Sequence, residues 1–285
     1  MPEGDTIFRT AQTLNLALAG RTVTRFVSDY PALTRIDEDA PIVGRAIVRV
    51  ESRGKHLLLH VGPAVEPATA YAGPLALRSH MRMSGSWHLY RPGERWAESR
   101  ARIRMETDTW IAAAFGVHDV EWLDARALAR HPALRALGPD LLADDFDEDA
   151  ALTRLRQLGD TPIADALLDQ RALAGIGNVY KSETLFLERL HPATRVSDIT
   201  DDALKALVAR ATRLLTINAQ GSGQGLETYR GLRKTTDRSH PAERLWVYSR
   251  GGRPCRRCGA RISFARMGRD VRGTYWCPSC QPDRT

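Results

Sequence analysis

The four cysteines of this chain form two pairs of the type Cys-x2-Cys, Cys255/Cys258 and Cys277/Cys280, with eighteen residues, 259–276, between them. Two thiolates on one tight turn can grip a soft cation, and a second such turn completes a tetrahedron, so the spacing predicts one structural Zn2+. A segment this short cannot build a core from apolar side chains alone, and a bound metal would let it fold. A two-disulfide knuckle and unrelated free thiols are the competing readings. The pairs use every cysteine in the chain, leaving none to suggest an oxidised scaffold. Thiols reserved for a metal also suit a reducing compartment.

A length of 285 residues predicts about two domains, with the cysteine segment as a small extra module. No run approaches the roughly 18 apolar residues of a membrane span, and the start lacks a basic patch followed by an apolar stretch, so neither a membrane partner nor a secretory leader is expected. The formal charge of +7 is uneven. From Arg210 to Thr285 there are 16 Lys or Arg against 5 Asp or Glu, whereas the preceding 209 residues hold 25 against 29. A basic final third on a near-neutral body predicts one polyanion-facing region, although an arginine-rich solvated surface would look the same. Lysines are scarce: Lys55, Lys181, Lys205 and Lys234 are all there are.

Residues 5–19 read as a helix, with Ile7, Phe8, Ala11, Leu14, Leu18 and Ala19 returning on one face and Asp5 or Thr6 able to cap it. Before it stands Met1-Pro2-Glu3-Gly4. Removal of the initiator methionine would leave Pro2 as a secondary α-amine, a carbonyl nucleophile that stays partly unprotonated near neutrality. Glu3 beside it can act as acid or base. The plainer reading is proline as punctuation at a helix start.

From 21 to about 122 the pattern changes to short alternating runs, 22–28, 42–51, 57–61, 75–80, 85–90, 101–106 and 109–113, punctuated by Gly and Pro. These predict an antiparallel sandwich or barrel. Lys55, in the turn Arg53-Gly54-Lys55-His56, can hold a phosphate or donate a proton, or be an ordinary strand-edge charge. In His80-Met81-Arg82-Met83-Ser84-Gly85 the methionines either fill a core or form wedges for a base stack.

Helical stretches follow at 125–130, 132–137, 147–158, 162–168 and 178–187, with a joint between domains at 141–146. Gly175 and Gly177 precede the last of these, which predicts backbone N–H groups turned toward an anion at a helix N-terminus, or else a plain tight turn. An amphipathic helix over 201–220 carries Leu204, Leu207, Val208, Ala211, Leu214 and Leu215 on one face. Residues 221–241 read as a flexible Gly-rich loop, and 244–250 as a short apolar strand or turn.

Taken together, the motifs resemble the Fpg/Nei family of bifunctional base-excision repair enzymes along the whole chain. Met1-Pro2-Glu3-Gly4-Asp5 resembles the family's catalytic start and Arg53-Gly54-Lys55 its strand-edge lysine motif. Gly175-Ile176-Gly177-Asn178-Val179-Tyr180-Lys181-Ser182-Glu183 resembles its helix–two-turn–helix signature, and Arg272 to Gln281 its zinc-ribbon hairpin. The resemblance implies a multidomain α+β chain: an N-terminal catalytic β-sandwich with an N-terminal helix (1–123), a linker and helix–two-turn–helix DNA-binding domain with the flexible loop (124–242), and a zinc ribbon (243–285). It implies Pro2 as Schiff-base nucleophile, Glu3 handling protons, Lys55 acting as acid or phosphate holder, and Arg272 clamping phosphates during elimination. Arg82, Met83, Phe115, Asn178, Lys181 and Arg272 are the implied DNA-binding residues. Asn178 and Arg272 are expected to stand opposite each other with DNA between them. The implied partner is damaged DNA, duplex or single-stranded, bound by a monomer in the cytoplasm at the nucleoid.

One departure bears on the substrate. Fpg enzymes carry Arg-x-Phe-Gly facing the base opposite the lesion, and this chain has Ala113-Ala114-Phe115-Gly116. The missing arginine and the opening Met-Pro-Glu-Gly look more like the endonuclease VIII branch, whose substrates are oxidised pyrimidines and abasic sites. An Fpg-like preference for 8-oxoguanine or formamidopyrimidine, a noncatalytic zinc-containing DNA-binding protein and an RNA-binding zinc ribbon are the alternatives. The N-terminal Pro-Glu argues against both noncatalytic readings.

Overall fold

The computed structural model describes residues 2–65, 71–220, 233–238 and 240–283. Met1 and most of the 221–241 segment lie outside them. The chain clusters into two compact units, one comprising Pro2 and Thr6–Arg135, the other Glu3–Asp5, Ala136–Gln220 and the described residues from 233 onward.

Helix α1 (Gly4–Leu18), which the first unit takes from Thr6 onward, buries Ile7, Ala11, Leu14 and Leu18 at helical spacing, whereas Phe8 is half-buried and Ala19, just past the helix end, is exposed. Then come β1 (Arg25–Ser28), α2 (Pro31–Asp39), β2 (Ile47–Arg53), β3 (His56–Val61), β4 (Leu75–His80), β5 (Ser86–Tyr90), β6 (Ile103–Glu106), β7 (Ile111–Phe115) and β8 (Asp119–Asp124). Short helices α3 (Ala125–Arg130) and α4 (Pro132–Arg135) close it. Two antiparallel four-stranded sheets result, in the orders β1-β6-β7-β5 and β2-β3-β4-β8. Their facing sides share one core, in which Leu57, Leu59, Val61, Leu75 and Leu77 meet Trp87, Ile103, Met105, Ala112 and Ala114. Trp87 Nε1 donates to Ser79 Oγ at 3.0 Å, so this fully buried indole has its polar atom satisfied. This is the expected sandwich.

Two elements carry no clear signal in the sequence. α2 buries only Leu33, so its pattern is faint, and its start is marked by Pro31 alone. In β8, Asp119-Val120-Glu121-Trp122 turns two acids onto one face, a pattern that does not by itself signal a buried strand. Those acids have a partner: Arg78 on β4, buried on the far side of its sheet, pairs with both Asp119 and Glu121 and donates to His56 Nδ1 at 3.0 Å.

In the second unit α5 (Glu148–Arg156), α6 (Ile163–Ala166), α7 (Asn178–Leu187) and α8 (Asp201–Gln220) enclose a separate core. All six α8 positions picked out by periodicity are buried there. Residues 244–250 form turns rather than a strand. They lead to a hairpin, β9 (Ser263–Met267) with β10 (Arg272–Trp276), which follows the first cysteine turn and precedes the second. Phe186, Val247, Cys255, Ile262 and Cys277 make a small third cluster. Among the described residues no helix is long and apolar enough to cross a membrane.

Candidate active site and nucleic-acid interface

The N-terminus of α7 does bind an anion, and the anion belongs to the chain itself. Glu3 is fully buried, and its carboxylate accepts from the backbone N–H of Gly177 at 3.0 Å, Val179 at 2.9 Å and Tyr180 at 3.4 Å. Three otherwise orphaned amides and the positive end of the helix dipole thus converge on one side chain. Gly177 is needed for approach rather than for dihedral freedom, since a Cβ there would overlap the Glu3 carboxyl group. Gly175 needs both: its φ is +105°, and Gly4 lies against it with Gly4 N donating to Gly175 O at 2.9 Å. The two signature glycines therefore receive the start of the chain, and the expected anion at this helix end is the Glu3 carboxylate.

Asp5 extends this anchorage. It is not a helix cap; its two oxygens accept from Nε and Nη2 of Arg233, both at 2.8 Å, and the pair is buried. Fork-to-fork geometry of this kind satisfies both charges away from water. Pro2, the residue before Glu3, is half-buried.

The same helix grips the hairpin. Asn178 Nδ2 donates to Gly273 O at 2.7 Å, so Asn178 sits on the strand that carries Arg272 instead of standing across a gap from it. Lys181 is 1 % exposed; its Nζ donates to Thr274 Oγ1 at 2.7 Å and reaches Gly273 O at 3.4 Å. Burial pulls its pKa down to about 8, against the opposing pull of Asp165 and Glu3. An ammonium so placed faces the hairpin. Arg272 itself is exposed. Glu183, also buried, accepts from the backbone N–H of Trp246, Val247 and Tyr248, each at 2.8 Å, and from Thr235 Oγ1. Tyr248 is thereby fixed, with its phenol pKa raised chiefly by burial and further by the charge of Glu3.

The remaining candidates lie in the first unit. Lys55 is half-buried in the β2–β3 turn, where Gly54 takes φ +56°. In the 80–85 segment Met81 is core, whereas Met83 is 61 % exposed. Arg82 adopts φ +51°, its N–H donates to His80 Nδ1 at 3.1 Å, and its guanidinium pairs with Asp119 at 2.5 Å. Phe115 lies edge-on to His88 and Trp96, and Ala113, where an Fpg-like arginine would stand, is buried.

The four cysteines come together as the spacing required. Their Sγ atoms all lie within 4.8 Å of one another, and all four are free thiols. Separations of 4.0 Å for Cys255–Cys280 and 3.5 Å for Cys258–Cys277 match the edges of a tetrahedron with metal–sulfur bonds of about 2.3 Å and exclude the two-disulfide reading. One structural Zn2+ fits this donor set, and it is the sole such cluster among the described residues.

Sequence reasoning missed Asp5–Arg233, Glu183, Tyr248, Thr274 and Asp165. Asp5, Glu183 and Thr274 stand inside the quoted motifs, but no local signal marks the roles of these residues, because each works through a partner far along the chain. Arg272, Asn178 and Glu3 are named by the motifs, and the folded chain shows which groups two of them bond: Asn178 the Gly273 carbonyl, and Glu3 the α7 amides.

Comparison with known proteins agrees along the whole length. Residues 1–131 match the formamidopyrimidine-DNA glycosylase N-terminal domain, 137–229 the H2TH domain of the same enzymes, and 252–282 the zinc finger found in FPG and IleRS. Endonuclease 8 2 of Mycobacterium tuberculosis is 40% identical over 284 residues, covering 99% of this chain and 100% of the relative. The DNA-(apurinic or apyrimidinic site) lyase Nei2 of Mycolicibacterium smegmatis is 37% identical over 281 residues, covering 99% of each. Lactococcus lactis Fpg, solved with abasic-site DNA, shares the fold at a TM-score of 0.79 and 22% identity, over 99% of this chain and 100% of that one. The chain belongs to the Fpg/Nei family of DNA glycosylases and AP lyases, within its endonuclease VIII, Nei2-like branch.

Proposed function

We propose that this family member excises oxidised pyrimidines and opens abasic sites, using the secondary amine of Pro2 as nucleophile. Glycosylase and lyase chemistry on oxidised bases in DNA comes with the family. The observation that supports Pro2 as its agent is the capture of Glu3 by the α7 amides, which fixes the residue next to the amine. An amine on the residue adjacent to a locked one loses little orientational freedom on attack.

In this reading the Pro2 nitrogen attacks C1′, the bond from C1′ to the base breaks, and the base leaves with a proton. Ring opening gives an iminium that acidifies the C2′ hydrogen. Loss of that proton expels the 3′ phosphate, and a second elimination expels the 5′ phosphate, leaving a one-nucleotide gap. With both carboxylate oxygens on backbone amides, Glu3 acts first as the anchor of Pro2, and any proton it handles is handled from that position. Lys55 and Arg272 hold backbone phosphates, which suits an enzyme that must accept any sequence context. Asn178 steadies the hairpin that carries Arg272. Arg82, Met83 and Phe115 fill the space left by the extruded base. Zn2+, when bound, supplies no chemistry; the four cysteines use it to hold the ribbon. The preference for pyrimidines rests on the absence of an arginine at Ala113. We place the enzyme as a monomer in the cytoplasm, at the nucleoid.

Borohydride reduction tests the proposal. An abasic duplex should yield a covalent adduct with a mass lacking Met1, and Pro2→Gly or a blocked N-terminus should abolish it. Full adduct yield in both variants would eliminate Pro2 as nucleophile. The same gels, run with thymine glycol, 5-hydroxyuracil and 8-oxoguanine in single and double strands, assign the substrate. Faster cleavage at 8-oxoguanine would reverse the pyrimidine assignment.

A further inference from the structure

The geometry points to Lys181 as a positioning residue that sets the Arg272 hairpin for DNA binding without touching DNA itself. This rests on the proposed role of Arg272 as a phosphate contact. Lys181 is one of the largest fully buried side chains in the protein. A buried ammonium is costly unless every proton has an acceptor, so its surroundings show what it is for. Its acceptors are Thr274 Oγ1 at 2.7 Å and Gly273 O at 3.4 Å, the two residues that follow Arg272. Thr274 Oγ1 donates in turn to Arg272 O at 3.3 Å. A continuous path therefore runs from the helix ammonium through one hydroxyl to the backbone of the exposed arginine. Asn178, three residues earlier and one helical turn away, takes the same Gly273 carbonyl at 2.7 Å.

The hairpin is held at its turn as well. Asp165 on α6 accepts from Arg269 N at 3.3 Å, and a Cβ on Gly268 would overlap the Asp165 carboxylate. At Gly273 a Cβ would lie 2.9 Å from Phe264 Cε2 and would displace that ring. β10 is thus pinned at its first residues by α7 and at the preceding turn by α6, with the Arg272 side chain left outside. The charges around Lys181 fit the same picture. Asp165 and Glu3 favour its charged form, and Arg272 opposes it, so the two cations are close enough to repel while the backbone holds them in place. In a cationic spot arranged this way, a DNA phosphate engages only the outer member, Arg272.

The test is the salt dependence of binding to a duplex bearing a tetrahydrofuran abasic analogue, using the full-length zinc-loaded protein. Arg272→Ala should weaken binding about tenfold and reduce the slope of log K against log salt by about one phosphate contact. Lys181→Met, which keeps the stem length, and Thr274→Val, which cuts the path from the other side, should each reproduce both changes. Lys181→Arg should restore part of the affinity. The double variant Lys181→Met/Arg272→Ala should have the slope of Arg272→Ala alone, because Lys181 adds no phosphate contact. Zinc content and thermal midpoint report folding in each variant, and Thr274→Val serves where Lys181→Met loses zinc. A further drop of slope in the double variant would overturn the inference in favour of a direct Lys181–phosphate contact. A loss in Arg272→Ala with wild-type binding in Lys181→Met and Thr274→Val would overturn the positioning role alone. Wild-type binding in Arg272→Ala would overturn the phosphate role of Arg272 and this inference with it.

Discussion

His56 is buried on the outer side of its sheet and is gripped by Arg78, whose guanidinium can only donate, so Nδ1 must carry its lone pair. Burial, together with the neighbouring His80 and Arg78 charges, pulls the His56 pKa down to about 3, and burial beside Arg82 pulls His80 down to about 4. Both are neutral in the folded protein where an unfolded chain would begin to protonate near pH 6.5. The stability they allow is complete above that value and is lost as the pH falls toward 4, because the unfolded state then binds more protons. Urea titrations from pH 7 to pH 4 should show the unfolding free energy falling. His56→Gln, which still offers Arg78 an acceptor, should flatten that slope by up to about 1.4 kcal/mol per pH unit. An unchanged slope would mean that His56 ionises freely. Nothing local in the sequence joins the basic and acidic members of this cluster, and their mutual neutralisation belongs to the register of β4 on β8.

Helix α7 carries Lys181, Ser182, Glu183 and Thr184 in its middle, and all four are buried. Polar residues in a row would ordinarily mark a solvent face. Here two of the acceptors and donors they need come from segments more than sixty residues away, the 246–248 turn for Glu183 and the hairpin for Lys181. The extent of α7 was legible because it follows a glycine pair and ends where apolar periodicity ends. Its inward polar face was not, since pattern rules assume that unpaired polar groups face water. Glu183→Gln should leave at least one of the three turn amides without an acceptor of comparable strength. We expect a loss of roughly 2–3 kcal/mol in unfolding free energy, with faster hydrogen exchange at Trp246, Val247 and Tyr248. Wild-type exchange at those amides would show that the turn is held by something else.

At the scale of the whole molecule, the cysteine module has little core of its own beyond the third cluster and depends on its metal. Chelation of Zn2+ should therefore remove exchange protection across 255–280, weaken binding to the abasic-analogue duplex by at least about tenfold, and leave protection in β3 and β4 unchanged. Loss of protection in β3 and β4 at the same chelator concentration would mean that the sandwich is not independently stable. The sequence by itself determined what nearby residues decide: the zinc ligands two residues apart, the apolar stripes of α1 and α8, most strands of the sandwich, and the order of family motifs. Each of those signals needs only neighbours within a few positions, so it survives in the linear pattern. Tertiary structure alone decided which anion caps α7, that Asp5 meets Arg233 across 228 positions, and that Lys181 holds the hairpin 93 positions on. Such pairings depend on where the chain returns in space, and one partner's residue type does not encode the other's position. The cysteine module read from spacing as a metal staple is, in the folded protein, also a strand handed to α7, with Arg272 at its outer edge.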